Sequence, residues 1–141
     1  MSRGKVSVLI KKSSLVFDKY VGKLLAPYDM SGSQFRILMK LYKSPENSVR
    51  QVDIETAFSM TNPTVTGLIV QLEKKGLVTK VDNPEDKRSK LLVLTDLANS
   101  KKEEFLALAC ELEKKMTDGL TESEAGLLAE LLEKVLKAHE V

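Results

Sequence analysis

Residues 61–76 read TNPTVTGLIVQLEKKG, and residues 77–95 continue LVTKVDNPEDKRSKLLVLT. The first stretch has a helical period: Val65, Leu68, Ile69 and Leu72 fall at i, i+3, i+4 and i+7 and so share one face. Thr61 is suited to cap that helix, and Pro63 falls in its first turn, where a missing N–H is harmless. Gly76, directly after Lys74 and Lys75, is a stop signal. The second stretch changes period. Residues 77–81 and 91–94 are short β-rich runs flanking a polar, proline-containing segment, which is the pattern of a hairpin.

Upstream, a helical pattern runs from Val6 to about Leu25, and Pro27 ends it. Ser31 is placed to cap a second helix, in which Phe35, Leu38, Met39 and Tyr42 form a stripe and which Pro45 closes. A short third helix is expected from about Gln51 to Ser59, with Val52, Ile54, Ala57 and Phe58 on its apolar side. Downstream, Thr95 is expected to cap one long helix reaching about Met116, with Phe105, Leu108, Ala109 and Leu112 at helical spacing. Gly119 breaks it, and Thr121 with Glu124 forms a capping-box pattern. The last helix carries Leu127, Leu128, Leu131, Leu132, Val135 and Leu136.

The order is helix, helix, short helix, helix, hairpin, helix, helix. It predicts a mainly α protein: a winged helix-turn-helix with a short β-hairpin wing and long N- and C-terminal dimerisation helices. The winged, DNA-binding lobe is expected over 31–95, and the helical dimerisation lobe over 1–30 and 96–141. The broad apolar stripe of the last helix is more than one short lobe can cover, so a second copy of the chain is the expected partner.

A chain of 141 residues with 43% hydrophobic content can bury a core. Net charge is only +2, but it is unevenly spread. Residues 1–60 hold 10 Lys/Arg against 5 Asp/Glu, and residues 96–141 hold 6 against 11. A basic front and an acidic rear suit a protein that turns one face to phosphate. Cys110 is the single cysteine, which excludes an intrachain disulfide; with no secretory signal pattern, a cytoplasmic location is expected. The apolar runs are far too short for a membrane span. No nucleophile–base pair, Gly-rich phosphate loop or His/Asp cluster is present, so no enzyme is expected. One His and one Cys make no transition-metal site, and no cofactor is expected.

If the second helix of a helix-turn-helix lies in a major groove, its outward face meets base edges. With Val65, Leu68, Ile69 and Leu72 inward, the outward set is Asn62, Pro63, Thr64, Thr66, Gly67, Val70 and Gln71. Small residues permit close approach, and the threonine hydroxyls can bond phosphates or bases. Lys74 follows on the same helix. At the tip of the hairpin stand Lys87, Arg88 and Lys90, and Arg88 on a thin loop suits a narrow minor groove. Asp86 has the wrong sign for DNA and is expected to hold Arg88 or the loop backbone in place. The competing reading is a winged helix used as a protein-interaction module without DNA. A thin basic strip, which also includes Lys75 and Lys80, separates the two. Cys110, on an apolar stripe, reads as core packing rather than a redox sensor. Tyr20, Tyr28, Met39 and Tyr42 either line a ligand cleft beside the first two helices or pack as ordinary core.

The ordered set Ser31-Gly32-Ser33-Gln34-Phe35, Thr64-Val65-Thr66, Leu72-Glu73-Lys74-Lys75-Gly76-Leu77-Val78 and Asp86-Lys87-Arg88 leading to Leu94-Thr95 resembles the MarR family of multiple antibiotic resistance regulators. With its flanking helices, the resemblance covers nearly the whole chain. It implies a triangular winged-helix homodimer whose first and last helices interlock. It also implies double-stranded DNA with a pseudo-palindromic operator as partner, repression as the usual outcome, and release by a small aromatic ligand. By position, Thr64 and Thr66 lie on the recognition helix and Arg88 is the wing arginine partnered by Asp86. Two departures stand out. Gly67 stands where many members carry arginine, and Glu55 where the short third helix usually carries a small residue. The first helix has no cysteine of the kind that senses peroxide in some relatives.

Overall fold

The computed structural model describes residues 5–139. Helix α1 (Val6–Leu25) ends two residues before Pro27, in a single 3-10 turn (Ala26–Tyr28) that redirects the chain. Helix α2 (Gly32–Lys43) starts on Ser31, whose hydroxyl accepts the Gln34 N–H at 3.1 Å, the cap expected there. Strand β1 (Val49–Arg50) leads into α3 (Gln51–Phe58) and α4 (Asn62–Lys74). Strands β2 (Val78–Asp82) and β3 (Lys90–Leu94) form the hairpin, and α5 (Asp96–Ser100), α6 (Lys102–Thr117) and α7 (Glu122–Ala138) complete the chain. This is the mainly helical winged fold that the period changes predict.

The sheet has three antiparallel strands in the order β1-β3-β2. The hairpin register pairs Val78 with Leu94 and Asp82 with Lys90. Strand β1 is a finding beyond the sequence reading. Two residues are too few to show a period of two, but Val49 pairs with Leu92 and is buried. It anchors the start of α3 to the wing.

The core is built from one face of each helix in the central lobe. Ile37, Leu38, Ile54, Val65, Ile69 and Leu72 are fully buried, with Leu92 of the wing and Phe105 of α6 closing the cluster. The end of α4 explains how the wing is hung. Gly76 is left-handed (φ 74°), a conformation glycine adopts without strain. Leu77 donates to Leu72 O at 3.0 Å and Gly76 to Glu73 O at 2.9 Å, a Schellman stop. Thr95 then clamps the hairpin shut. Its N–H donates to Leu77 O at 3.1 Å and its hydroxyl to Gly76 O at 2.6 Å.

Three expectations are corrected. The long helix from Thr95 to about Met116 is two helices, broken at Lys101. Asn99 and Ser100 are weak helix formers there, and the Ser100 hydroxyl bonds back to Leu97 O at 2.6 Å. In α3, Ile54 is buried and Phe58 packs half-buried against the core, but Val52 and Ala57 face out, since an eight-residue helix turned by β1 fully buries a single residue. Cys110 is exposed, not packed in the core, because α6 buries only its first turn at Phe105.

The outer helices are left bare. No residue of α7 is buried, and Leu127, Leu131 and Leu136 are about half exposed. In α1 only Leu25 is buried, while Val6, Leu9, Leu15 and Val16 face outward.

Candidate nucleic-acid interface

Helix α3 ends at Ser59 in a left-handed turn (φ 51°), and α4 starts three residues later. The tight turn sets the two helices against each other as a helix-turn-helix. Val65, Ile69 and Leu72 are fully buried and Leu68 is half-buried, while Asn62, Pro63, Thr64, Thr66, Gly67 and Gln71 are exposed. The helical phase is therefore the one that the apolar spacing predicts. Thr61 occupies the cap position but makes no side-chain cap bond. Its hydroxyl instead pairs with that of Thr64 at 2.9 Å, so the first N–H groups of α4 have no side-chain acceptor from the cap residue.

A polar network joins α3 to the first turns of α4. The Asn62 amide donates to Glu55 Oε2 at 2.9 Å. The Gln51 amide donates to Thr66 Oγ1 at 2.8 Å and reaches the same Glu55 oxygen at 3.3 Å. Asn62 and Thr66, both singled out from the sequence, are thus held in place by two residues that were not singled out as contacts. The signal that could have found them was the i, i+4 spacing of Gln51 and Glu55 on the helix before the turn.

Gln71 is exposed but tied back. Gln34, buried in α2, donates its amide to Gln71 Oε1, and its own Oε1 has no partner among the described residues. Lys74 is exposed, whereas Lys75 donates to Asp29 O and lies 3.7 Å from Asp29 Oδ2. Both links connect α4 to the start of α2 and the turn before it.

The wing loop is ordered by short bonds. Asn83 Oδ1 accepts the Glu85 N–H at 3.0 Å, and Asp86 Oδ1 accepts the Arg88 N–H at 3.0 Å. Arg88 projects with its side chain 94% exposed and its Nε 3.5 Å from Asp86. Lys87 is exposed beside it. Lys90 is ion-paired with Asp82 across the hairpin, which holds the Asp82 carboxyl below its ordinary pKa. At the wing base, Arg50 holds the cap position of α3, where its backbone N–H donates to Asp53 Oδ2 at 2.8 Å and its guanidinium pairs with Asp53 at 3.0 Å; the guanidinium hydrogen bond lowers the Asp53 pKa.

The four residues weighed as a ligand cleft are not brought together. A cleft of about 870 Å³ does open between α1, α2 and α6, walled by Phe17, Val21, Phe35, Met39, Leu112 and Met116. Of the four, only Met39 lines it. Tyr42 is core: its hydroxyl donates to Ala98 O, and burial pushes its pKa up to about 12. Tyr28 packs edge-on against Phe105 with centroids 5.3 Å apart and bonds to Glu104. Tyr20 lies under the Lys115 ammonium at 5.6 Å. Among the described residues, no group of three His, Cys, Asp or Glu is placed to hold a metal ion, and no helix is long and apolar enough to cross a membrane.

A helix-turn-helix seated on a shared core, with a hairpin wing carrying an outward arginine, defines a winged helix-turn-helix protein. The MarR family model matches residues 30–90, and members of that family are DNA-binding transcriptional regulators and not enzymes. The chain is 34% identical over 96 residues to the uncharacterized HTH-type transcriptional regulator YdcH of Bacillus subtilis, covering 66% of this chain and 65% of that relative's length. It is similar to the crystal structure of an S. aureus MepR–DNA complex, with a TM-score of 0.84 and 28% identity over 94% of this chain and 97% of that one. It is also similar to a mutant MarR from E. coli complexed with operator DNA, with a TM-score of 0.82 and 27% identity over 96% of this chain and 98% of that one.

Proposed function

We propose that this regulator binds a pseudo-palindromic operator in double-stranded DNA as a homodimer and represses transcription from it in the cytoplasm. The observation that carries the reading is the two-sided character of α4. One side is seated by fully buried Val65, Ile69 and Leu72, and the other presents small and polar groups over its first two turns, with the exposed Val70 beyond them. Such a helix is rigidly aimed yet sterically open, which major-groove reading requires. Asn62, Pro63, Thr64, Thr66 and Gly67 form the groove face. Gln71 and Lys74 follow along α4, and Lys87, Arg88 and Lys90 of the wing reach phosphate or the minor groove. The two solved relatives in complex with DNA support this use of the fold.

Residues 31–95 make up the DNA-binding lobe and 1–30 with 96–141 the dimerisation lobe. The bare apolar faces of α1 and α7 support the homodimer, since a second copy related by a twofold axis would cover both. The cleft beside Met39 supports release by a small aromatic ligand, with Phe17, Phe35 and Met116 as its apolar walls.

The test is selection of duplexes from a random-sequence library by the purified protein, followed by fluorescence anisotropy on the enriched sequence against salt. An inverted-repeat consensus, with affinity falling steeply as salt rises, is the expected outcome. A folded protein that enriches no sequence and binds no duplex at low salt would return the fold to the protein-interaction reading.

A further inference from the structure

Glu55 is the one anionic side chain hydrogen-bonded to the start of the recognition helix among the described residues. Its Oε2 accepts Asn62 Nδ2 at 2.9 Å and Gln51 Nε2 at 3.3 Å, both neutral donors. None of the ion pairs among the described residues includes it, so its charge is not neutralised locally. It stands at the positive end of α4, whose first N–H groups lack a side-chain cap from Thr61. A helix end of this kind attracts phosphate, and a carboxylate beside it works against that attraction. On the face of a protein that binds DNA, such a charge is a liability unless it does something else.

Resting on the DNA-binding reading above, we propose that Glu55 is a specificity-determining residue with two linked effects. Its negative charge weakens binding to any duplex through the phosphates, the sequence-independent part of affinity. Its hydrogen bonds hold the Asn62 and Gln51 amides in one arrangement, and Gln51 in turn holds Thr66. A charge-assisted bond fixes such an amide more firmly than a neutral one. The matched sequence recovers through base contacts what the repulsion removes, and a random sequence does not. Glu55 thus raises the ratio of operator to random binding while lowering affinity for both.

The experiment compares wild type, Glu55→Gln and Glu55→Ala on two probes: a 30-bp random-sequence duplex, and the duplex that wild type enriches from a random library. Both variants are expected to bind the random duplex roughly threefold or more tightly at low salt, the effect of removing one unit charge near a phosphate in water. Glu55→Gln should gain less on the enriched duplex than on the random one, and Glu55→Ala should gain least there, since it also frees Asn62 and Gln51. Melting temperatures report folding separately; if Glu55→Ala does not fold, Glu55→Gln alone decides. Unchanged random-duplex affinity in Glu55→Gln, or an unchanged or higher operator-to-random ratio, overturns the proposal while leaving the regulator reading intact. Loss of enriched-duplex binding alone, with random binding unaltered, would make Glu55 a base reader and overturn it too. If wild type binds neither probe, the DNA-binding reading itself falls and takes this one with it.

Discussion

The Asp86 carboxylate accepts the backbone N–H of Arg88, two residues away, at 3.0 Å. The same oxygen lies 3.5 Å from Arg88 Nε. The acid thus bends the loop so that the arginine stands clear of the wing, nearly fully exposed, instead of folding back onto the strands.

Arg88→Ala should weaken operator binding by about 1–3 kcal/mol if the guanidinium enters the minor groove. Asp86→Ala should weaken it less, because the arginine survives but its loop is looser. Both variants should melt close to wild type, since the loop is outside the core. Wild-type anisotropy curves for Arg88→Ala would place the wing off the DNA.

Thr64→Ala and Ile69→Ala should separate the two faces of α4. Thr64 is exposed and Ile69 fully buried, so Thr64→Ala should melt normally and bind operator more weakly. Ile69→Ala leaves a cavity costing about 2–5 kcal/mol, and DNA binding should fail with the seat of the helix. Leu68, only half-buried, is the poorer choice for this comparison because its truncation leaves less of a void. Normal stability in Ile69→Ala would mean that the phase of α4 is misassigned.

Gly67→Ala should change stability and binding in opposite directions. A Cβ at this position meets nothing within 4 Å, and the backbone is ordinary helix, so alanine should stabilise the fold by about 0.8–1 kcal/mol. The same methyl group would stand between α4 and the groove floor and should reduce operator affinity. A stabilised variant with unaltered affinity would show that the duplex does not approach the helix backbone there.

Sedimentation equilibrium at micromolar concentration should report a dimer. Leu131→Glu places a charge in the middle of the bare α7 face and should shift the protein to monomer while leaving the winged lobe folded. A well-folded wild-type monomer would leave these apolar faces without an explanation.

Acid should loosen the junction of β1 and α3. The Arg50 hydrogen bond holds the Asp53 carboxyl below its ordinary value of 3.8. A depressed carboxyl stabilises the fold while ionised, so this contribution is present above pH 3.8 and is lost as pH falls through the lower folded value. Asp53→Asn should therefore flatten the acid limb of a melting-temperature profile, by a modest amount because the pair is partly exposed. An acid limb unchanged from wild type would show that this pair does not contribute.

The elements that could be read directly were those whose cause is local. Ser31, Thr95 and Thr121 act as caps because their partners lie three residues on, and the structure shows each bond. The hairpin and the phase of α4 follow from periods visible within a dozen residues. The break at Lys101 is not legible in the sequence because two weak helix formers interrupt an apolar stripe without erasing it. The exposure of Cys110 is not legible either, because helical spacing shows which residues share a face, not whether anything covers that face.

The sequence alone therefore determined the helix order, the wing, the outward face of α4 and the family resemblance, all set by interactions between residues a few positions apart. The tertiary structure settled which of the polar residues on that face and on the wing stand free and which are engaged. Gln71 is bonded to Gln34, 37 residues away, Asn62 to Glu55 across the turn, and Lys90 to Asp82 across the hairpin. It also showed that Tyr42 belongs to the core, through a bond to Ala98 that spans 56 residues. Periodicity and capping act along the chain, within about four residues. Side-chain partners at such separations depend on how whole elements pack, and no local pattern encodes that packing.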